Sequence, residues 1–453
     1  MLDLGLAGFV AGLLALGLRR PFLWVLAYIY VDIVAPQKIS WFLLASVPIS
    51  LIVFVLAFGG WLALDDKRDS RFSFRQGLMV LLLCYCGYTT LVAEFPVEAA
   101  TKWSWVWKAL VFAIFLPLTL RTRLRIEAAA LFMVLSLSAI VIGGGIKTLA
   151  GGGGYAQLSL LVNDNTGLYE GSILSTVAIA SVPIVVWLAK HGTVFPPDWR
   201  VRVFAAALIF ACLLIPVGTQ ARTGLLCIGL LAILSLRMVK RRMLYLALIG
   251  ASVAMAIPFL PASYTERMST IENHKSDQSA STRLAVWSWT LDYVRDHPFG
   301  GGFDSYLANR IRVTTLDTQS SGNTTAIEAT VVEDQARAFH SSYFELLGEQ
   351  GWPGLAIWLL LQFTGLWQME RVRRRWKDRD GPDEQWQAPL ANALQQAQII
   401  YLFGGAFVGI GYQPLILCII GLQCALASYL KRVESERRRP VPRSTRVMPL
   451  PAA

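Results

Sequence analysis

The chain has 453 residues, of which 55% are hydrophobic and only 16% are charged, and its mean hydropathy is +0.50. Soluble globular proteins have about 45–50% apolar and about 25% charged residues, so this composition excludes an ordinary water-soluble fold. The formal net charge is +11. Because the basic residues cluster in alternate loops, we attribute this charge to membrane orientation and expect no binding to nucleic acid.

Apolar runs close to the length of a membrane span recur along most of the chain. A transmembrane helix needs about 20 mostly apolar residues, because its backbone polar groups must be satisfied within the segment. The pattern predicts an all-α polytopic membrane protein with 12 or 13 transmembrane helices. The runs lie at roughly 2–18, 22–36, 40–64, 77–93, 105–120, 128–149, 173–190, 203–219, 224–239, 244–261, 353–369, 393–411 and 414–430.

Clusters of Lys and Arg fall in every second loop between these runs. Basic residues in short loops stay on the cytoplasmic side of the membrane, so the alternation predicts a cytoplasmic C-terminus and outward-facing loops elsewhere. The clusters lie within 67–75, 121–125, 200–202, 240–242, 371–377 and 431–439. We divide the chain into N-terminal transmembrane helices (1–261), a periplasmic loop (262–351), C-terminal transmembrane helices (352–430) and a basic cytoplasmic tail (431–453).

The outward loop at 262–351 is far longer than the others. It contains seven Lys and Arg against twelve Asp and Glu, and it holds three of the four histidines. Apolar periodicity predicts one amphipathic helix that starts near Arg283, capped by Ser281 and Thr282, and stops at the HPFGGG segment 297–302. A second helix is predicted from about His340 or Ser341 to Glu349. We expect a helical loop that covers a cavity between the spans, since connections this long are usually functional.

No metal or other cofactor is expected. All six cysteines lie within apolar runs, where they are typical small buried residues. No spacing of Cys and His indicates a metal site, and no cluster of acidic residues in the outward loops suggests one.

Several segments resemble the O-antigen ligase and polymerase superfamily. The segments STRLAVWSWTLDYVRDHPFGGGFDSY and AFHSSYFELLGEQGWPGLAIWLLL are similar to its core, and TQARTGLL matches its arginine motif at the start of a span. RRPFLWVLAYIYVDIVAPQKISW and NDNTG resemble the subgroup of O-glycosylation ligases associated with exosortase systems. The resemblance implies a GT-C-type inverting glycosyltransferase of the bacterial inner membrane. Such an enzyme moves a glycan from undecaprenyl diphosphate to an acceptor hydroxyl, on a lipopolysaccharide core or a protein, on the periplasmic side without a metal.

Three residues are predicted to be catalytic on this basis. Arginine binds phosphate bidentately and stays protonated, which suits Arg222 and Arg283 to the diphosphate leaving group. Arg222 lies at the outer end of a span, where a lone cation is costly, although it could also cap or snorkel. His340 aligns with the central histidine of the superfamily and is predicted to remove the acceptor proton.

Other polar residues near the outer ends of spans are predicted to bind substrate. Lys108, expected in the first turn after an outward loop, and Lys147, just before a run of four glycines, could meet phosphate or sugar anions. Both could instead snorkel to lipid headgroups. Asn163, Asp164 and Asn165 could bind sugar hydroxyl groups or simply form a loop and a helix cap.

Three functions remain open from the sequence. A ligase fits the subgroup resemblance, whereas a polymerase of the same superfamily would use the same arginine and histidine chemistry on another lipid-linked acceptor. A transporter of lipid-linked glycans belongs to a different class. Transporters place ionisable groups near the bilayer midplane, whereas the notable polar groups of this chain gather at one face.

Overall fold

The structure is a computed structural model that describes residues 2–67, 70, 72–150, 168, 170–237, 241–244, 247, 278–321, 324–379, 381 and 383–438. Asn163, Asp164 and Asn165 lie outside the described residues, as do most of the predicted run at 244–261 and the first part of the long loop. The helices are α1 (Leu2–Arg19), α2 (Phe22–Val34), α3 (Pro36–Ile39), α4 (Ile49–Leu64), α5 (Phe74–Leu91), α6 (Pro96–Thr119), α7 (Arg123–Ala150), α8 (Gly171–His191), α9 (Trp199–Gly218), α10 (Arg222–Leu236), α11 (Gln278–Asp296), α12 (Ser342–Trp376), α13 (Gln387–Gly404) and α14 (Pro414–Arg438). A 3₁₀ helix (Ser305–Ala308) and strands β1 (Arg310–Ser321) and β2 (Thr324–Gln335) complete the described elements.

The prediction of an all-α polytopic membrane protein is confirmed. By length and composition, four helices in the described part of the chain could cross a membrane, namely α7, α8, α9 and α14. Shorter apolar helices are α2, α4 and α10. The count of 12 or 13 spans stays a prediction.

The long loop contains a β-hairpin, whereas the sequence predicts only helices there. Strands β1 and β2 form an antiparallel hairpin in which Arg310 pairs with Gln335 and Ser321 with Thr324. The sequence carries the signal, because both segments are rich in Thr and Val and flank the dipeptide Gly322-Asn323, a combination typical of a two-residue hairpin.

Two boundaries also differ from the prediction. Helix α11 is helical from Gln278, so Ser281 and Thr282 lie inside it and the cap predicted there is wrong. Its end at Asp296 agrees with the predicted stop at 297–302. In the run at 40–64, the helix α4 begins only at Ile49, directly after Pro48.

Residues from the predicted basic loops meet at one end of the bundle. Four contacts join them: Arg125 to Asp65 (2.6 Å), the Arg123 side chain to the His191 carbonyl (3.1 Å), Arg237 to Glu370 (2.8 Å) and Arg375 to Glu434 (2.9 Å). These contacts involve the ends of α4, α8 and α10, the start of α7 and the distal part of α12. The opposite ends of these helices therefore face the other side of the bundle.

A chain of polar side chains links four helices through the buried interior. Arg75 in α5 is only 3% exposed, and its Nη2 donates to Gln423 Oε1 of α14 at 2.8 Å. Gln423 Nε2 donates to Gln398 Oε1 of α13 at 2.9 Å, and Gln398 Nε2 donates to Gln362 Oε1 of α12 at 2.7 Å. Hydrogen bonds of this kind fix the rotation of packed helices, because an apolar interior offers no alternative partner.

Helix α12 is broken at Gly351, where the turn 298–302 packs against it. Gly351 has φ 61° and ψ −166°, a conformation suited to glycine. Three hydrogen bonds satisfy groups near the break: Trp352 N–H to the Pro298 carbonyl (3.0 Å), Gly301 N–H to the Gly348 carbonyl (3.0 Å) and Gly302 N–H to the Glu349 carbonyl (2.9 Å). We call this contact the glycine clamp. A Cβ on Gly351 would lie 2.3 Å from the Pro298 carbonyl oxygen, so the chains meet backbone to backbone.

Substitution of Gly351 by alanine should therefore destabilise the fold. The added methyl group would clash with Pro298 and the residue would keep a positive φ, which together cost about 2–4 kcal/mol. The melting temperature of the purified protein in detergent measures the effect. Gly229→Ala is the matched control, because nothing lies within 4 Å of its Cβ position. Equal melting temperatures for the two variants would contradict the clamp.

Candidate functional site

A cavity of about 440 Å³ opens at the end of the bundle opposite the basic loops. Its walls come from the start of α6, the start of α8, the turn before the 3₁₀ helix, the segment before α12, the first turns of α12 and the loop between α13 and α14. Lining residues include Thr101, Lys102, Trp105, Glu170, Asp304, Tyr306, His340, Glu345, Glu349, Gly411 and Tyr412.

One wall of the cavity holds a lysine that faces three carboxyl groups. Lys102 Nζ lies 2.8 Å from Glu345 Oε1, 2.7 Å from Glu349 Oε1 and 3.7 Å from Asp304 Oδ1. We call these four residues the acidic cluster. Its members precede the apolar runs at 105–120 and 353–369, which places them outside the predicted spans. Among the described residues, no group of three or more His, Cys, Asp and Glu is arranged to hold a metal ion.

Backbone geometry positions each carboxyl group. Glu345 and Glu349 are four residues apart on the first part of α12, so they lie on one helix face. Glu345 Oε2 accepts from Gly411 N–H at 3.2 Å, and Glu349 Oε1 accepts from Asp304 N–H at 3.0 Å. Asp304 has φ 58°, a left-handed conformation that Asp tolerates better than most residues. The glycine clamp, which joins the segments bearing Glu349 and Asp304, therefore brings these two residues together.

The ionisation of the cluster follows from its burial and crowding. Burial lowers the pKa of Lys102, but Glu345, Glu349 and Asp304 outweigh that effect and hold the pKa above its ordinary value. Burial raises the pKa of Glu349 although Lys102 opposes the shift, and Glu345 adds to it. The pKa of Asp304 is raised by burial too, again against the effect of Lys102. The lysine therefore stays charged, while Glu349 and Asp304 resist full ionisation.

His340 lies on the same cavity, directly before α12. Its φ of 49° is left-handed, which is uncommon but enriched for histidine. A small core of Val286, Ile311 and Phe339 holds α11 and β1 against this segment. Trp287 Nε1 also donates to the Phe339 carbonyl at 2.9 Å.

Charges near His340 favour its neutral form. Desolvation lowers the pKa of His340 below its usual value, and the positive charges of Arg283 and Arg337 lower it further, while Glu170 opposes them. The structure thus brings Arg283 within electrostatic reach of His340. A neutral imidazole at pH 7 is suited to accept a proton.

Arg222 is the first residue of α10, at the same end of the bundle. Its neighbour Thr219 hydrogen-bonds Ser175 of α8 at 2.9 Å between the hydroxyl oxygens. The start of α8, where the Glu170 side chain caps the helix, borders the cavity. In the described part of the chain, the cavity walls include His340 but neither Arg222 nor Arg283.

The predicted substrate-binding lysines lie elsewhere. Lys108 is in the middle of α6 and not in its first turn, because the helix already begins at Pro96. It interacts electrostatically with Asp32 of α2. Lys147 is exposed in the last turn of α7. Neither lysine lines the cavity among the described residues.

Sequence reasoning missed the acidic cluster. Glu345 and Glu349 were visible as two carboxyl groups four residues apart between apolar stretches, and Lys102 as a cation just before a predicted span. Their partnership was not visible, because Lys102 and Glu345 are separated by 243 positions. Only the glycine clamp and the packing of α6 bring them together.

Two family models match the chain. Residues 205–359 match the O-Antigen ligase family, and residues 1–193 match a family of unknown function, DUF5935. No curated protein matches the chain. The first match supports the predicted relationship to the O-antigen ligase superfamily and, in general terms, glycan transfer of the ligase or polymerase type. It covers Arg222, Arg283 and His340.

Removal of the Lys102 ammonium group should lower the stability of the protein. In Lys102→Met, three carboxyl groups lose their counter-charge, and breaking a buried ion pair costs about 3–5 kcal/mol. We expect a lower melting temperature in detergent, with partial recovery at acidic pH, where the carboxyl groups are protonated. Lys190→Met, which removes an exposed lysine from the far end of α8, is the control. The proposed balance of charges fails if both variants melt alike.

Proposed function

We propose that the protein is a glycosyltransferase of the O-antigen ligase type in the bacterial inner membrane. It transfers a preassembled glycan from undecaprenyl diphosphate to an acceptor hydroxyl on the periplasmic side, and its C-terminus faces the cytoplasm. One observation carries the proposal: the family match at 205–359 spans Arg222, Arg283 and His340, two of which interact beside a polar cavity.

The proposed mechanism assigns each residue a physical task. Arg283 and Arg222 hold the diphosphate and stabilise the charge that develops as it leaves, because a guanidinium stays protonated and binds phosphate bidentately. His340, neutral at pH 7, accepts the proton of the acceptor hydroxyl as its oxygen attacks the anomeric carbon. A single displacement of this kind inverts the anomeric configuration, and no step requires a metal ion.

The ligase is the preferred member of the superfamily, with a lipopolysaccharide core or a protein as acceptor. The segments similar to exosortase-associated O-glycosylation ligases support this choice. The alternative is a polymerase, for which a second lipid-linked glycan is the acceptor. A transporter of lipid-linked glycan is disfavoured, because residues 205–359 match the O-Antigen ligase family.

Reconstitution with purified lipid-linked glycan tests these functions. The purified full chain in vesicles is given rough-form lipopolysaccharide, a Ser/Thr-containing peptide or a second lipid-linked glycan, all in the presence of EDTA. A single shift on lipopolysaccharide or peptide supports a ligase, and a ladder on lipid-linked glycan supports a polymerase. Movement of the donor across the vesicle without release of undecaprenyl diphosphate would support a transporter and overturn the proposal.

The three proposed catalytic residues should each be essential for transfer. Arg222→Ala, Arg283→Ala and His340→Ala should lower the rate at least about 100-fold while the protein remains in the membrane at normal abundance. Arg222→Lys should also fail, because lysine lacks the bidentate fork. Arg295→Ala, which removes an exposed arginine from the end of α11, serves as control. Full activity of His340→Ala would refute its assignment as the base.

The pH profile of transfer should reflect the electrostatics at His340. Because its pKa is lowered from the usual 6.5, the histidine gains its proton only below that pH, and kcat/KM for the acceptor should fall on acidification with a midpoint below 6.5. Arg337→Gln removes one of the lowering charges and should move the midpoint toward neutral pH. Arg295→Gln should leave it unchanged. An acid limb above pH 6.5 would contradict the assignment.

A further inference from the structure

The charges around the cavity are segregated. His340 lies on one side, where the positive charges of Arg283 and Arg337 together outweigh the opposing charge of Glu170. The acidic cluster marks the other side, where three carboxyl groups face a single ammonium group. The two sides therefore suit ligands of different charge.

We propose that the acidic cluster is the subsite for a neutral sugar of a glycan acceptor, and that Glu349 accepts or shares a hydrogen bond with one of its hydroxyl groups. The inference rests on the glycan transfer proposed above and adds the class of acceptor. A hydroxyl group both donates and accepts, so it matches a carboxyl group in either protonation state.

One carboxyl oxygen of Glu349, Oε2, is buried without a hydrogen-bond partner among the described residues. The residue is 0% exposed, and it lines the cavity. Its Oε1 is occupied by Lys102 Nζ at 2.7 Å and by Asp304 N–H at 3.0 Å. Its Oε2 is buried and has no hydrogen-bond partner among the described residues. A buried polar atom without a partner costs about 1–3 kcal/mol, which a bound hydroxyl group would recover.

Aromatic side chains complete a surface suited to a sugar ring. Trp105, Tyr306 and Tyr412 line the cavity beside the carboxyl groups. Tyr412 and Phe303 also lie with their ring centroids 5.5 and 5.6 Å from Lys102 Nζ, which keeps the lysine within the cluster. Apolar ring faces next to a few placed polar groups are typical of a small-ligand site, and a sugar presents both C–H faces and hydroxyl edges.

The same charges exclude anions from this subsite. A phosphate here would be repelled by those carboxyl groups that are ionised and would find Lys102 already paired with them, so the diphosphate of the donor belongs on the side of Arg283. A phosphorylated or carboxylated acceptor sugar would meet the same repulsion. The charges thus place the donor diphosphate and the acceptor sugar at different parts of the cavity. His340 lies where the two ligands would meet.

Steady-state kinetics of three variants test the subsite in the reconstituted full chain. The acceptor is rough-form lipopolysaccharide, used before and after removal of its core phosphate groups. Glu349→Gln replaces the titratable carboxyl group, whose Oε2 has no partner among the described residues, and changes its hydrogen bonding. Asp304→Asn is the second variant, because asparagine tolerates the left-handed backbone at φ 58° and the fold should survive. Asp296→Asn, at the exposed end of α11, removes a carboxylate outside the cavity and is the control.

We expect the wild type to prefer the dephosphorylated acceptor. In Glu349→Gln and Asp304→Asn the acceptor KM should rise about tenfold and several-fold, respectively, while the donor KM stays within twofold. In Asp304→Asn the preference against phosphate should also weaken. Equal rises of both KM values, a loss of kcat alone, or unchanged kinetics in both variants would overturn the subsite and leave the proposed function standing. Transfer to the peptide but not to lipopolysaccharide would also overturn it. Absence of any transfer by the wild type would refute the proposed function, and the subsite with it.

Discussion

The architecture of the cavity depends on how the chain breaks α12 without exposing its backbone. A helix interrupted beside a membrane leaves carbonyl groups that neither lipid nor apolar side chains can satisfy. The turn 298–302 supplies the missing N–H groups, and close approach is possible because Gly300 and Gly351 carry no side chain. Glu349 lies in α12 on one side of this contact, and Asp304 lies two residues after the turn 298–302 on the other side. A backbone requirement thus determines where the carboxyl groups meet.

The acidic cluster and His340 lie in different electrostatic environments on the cavity wall. Lys102 stays charged because three carboxyl groups surround it, and it keeps those groups from repelling one another. Desolvation, together with the positive charges of Arg283 and Arg337, lowers the pKa of His340 and so favours its neutral form. Each group is held in a useful protonation state by neighbours from distant parts of the sequence, which makes the site sensitive to the packing of α6, α11 and α12 as a unit.

Much of the fold could be predicted from the sequence, because apolar runs and alternating basic loops are patterns formed by residues that are close together in the sequence. The C-terminal ends of α7, α8 and α11 lie within about one residue of the predicted ends. The hairpin was missed although Gly322-Asn323 between β-branched stretches signals it, because the loop was interpreted only by helical periodicity. His340 and Arg283 were predicted through resemblance and stay predictions as catalytic residues, although the structure brings Arg283 within electrostatic reach of His340. Lys102 and Glu349 were missed, since a partnership across more than 240 residues leaves no local pattern.

The polar chain from Arg75 to Gln362 has a consequence for how the protein is made. During synthesis α5 enters the membrane long before α12 and α14, which supply the Gln368 and Gln423 acceptors of the guanidinium. Arg75 is the second residue of α5 and belongs to the predicted basic cluster at 67–75, so water can solvate its guanidinium group until these partners arrive. We therefore expect this end of α5 to remain hydrated at first and to become buried only when α12 and α14 pack against it, so that early and late segments of the chain complete the interior together.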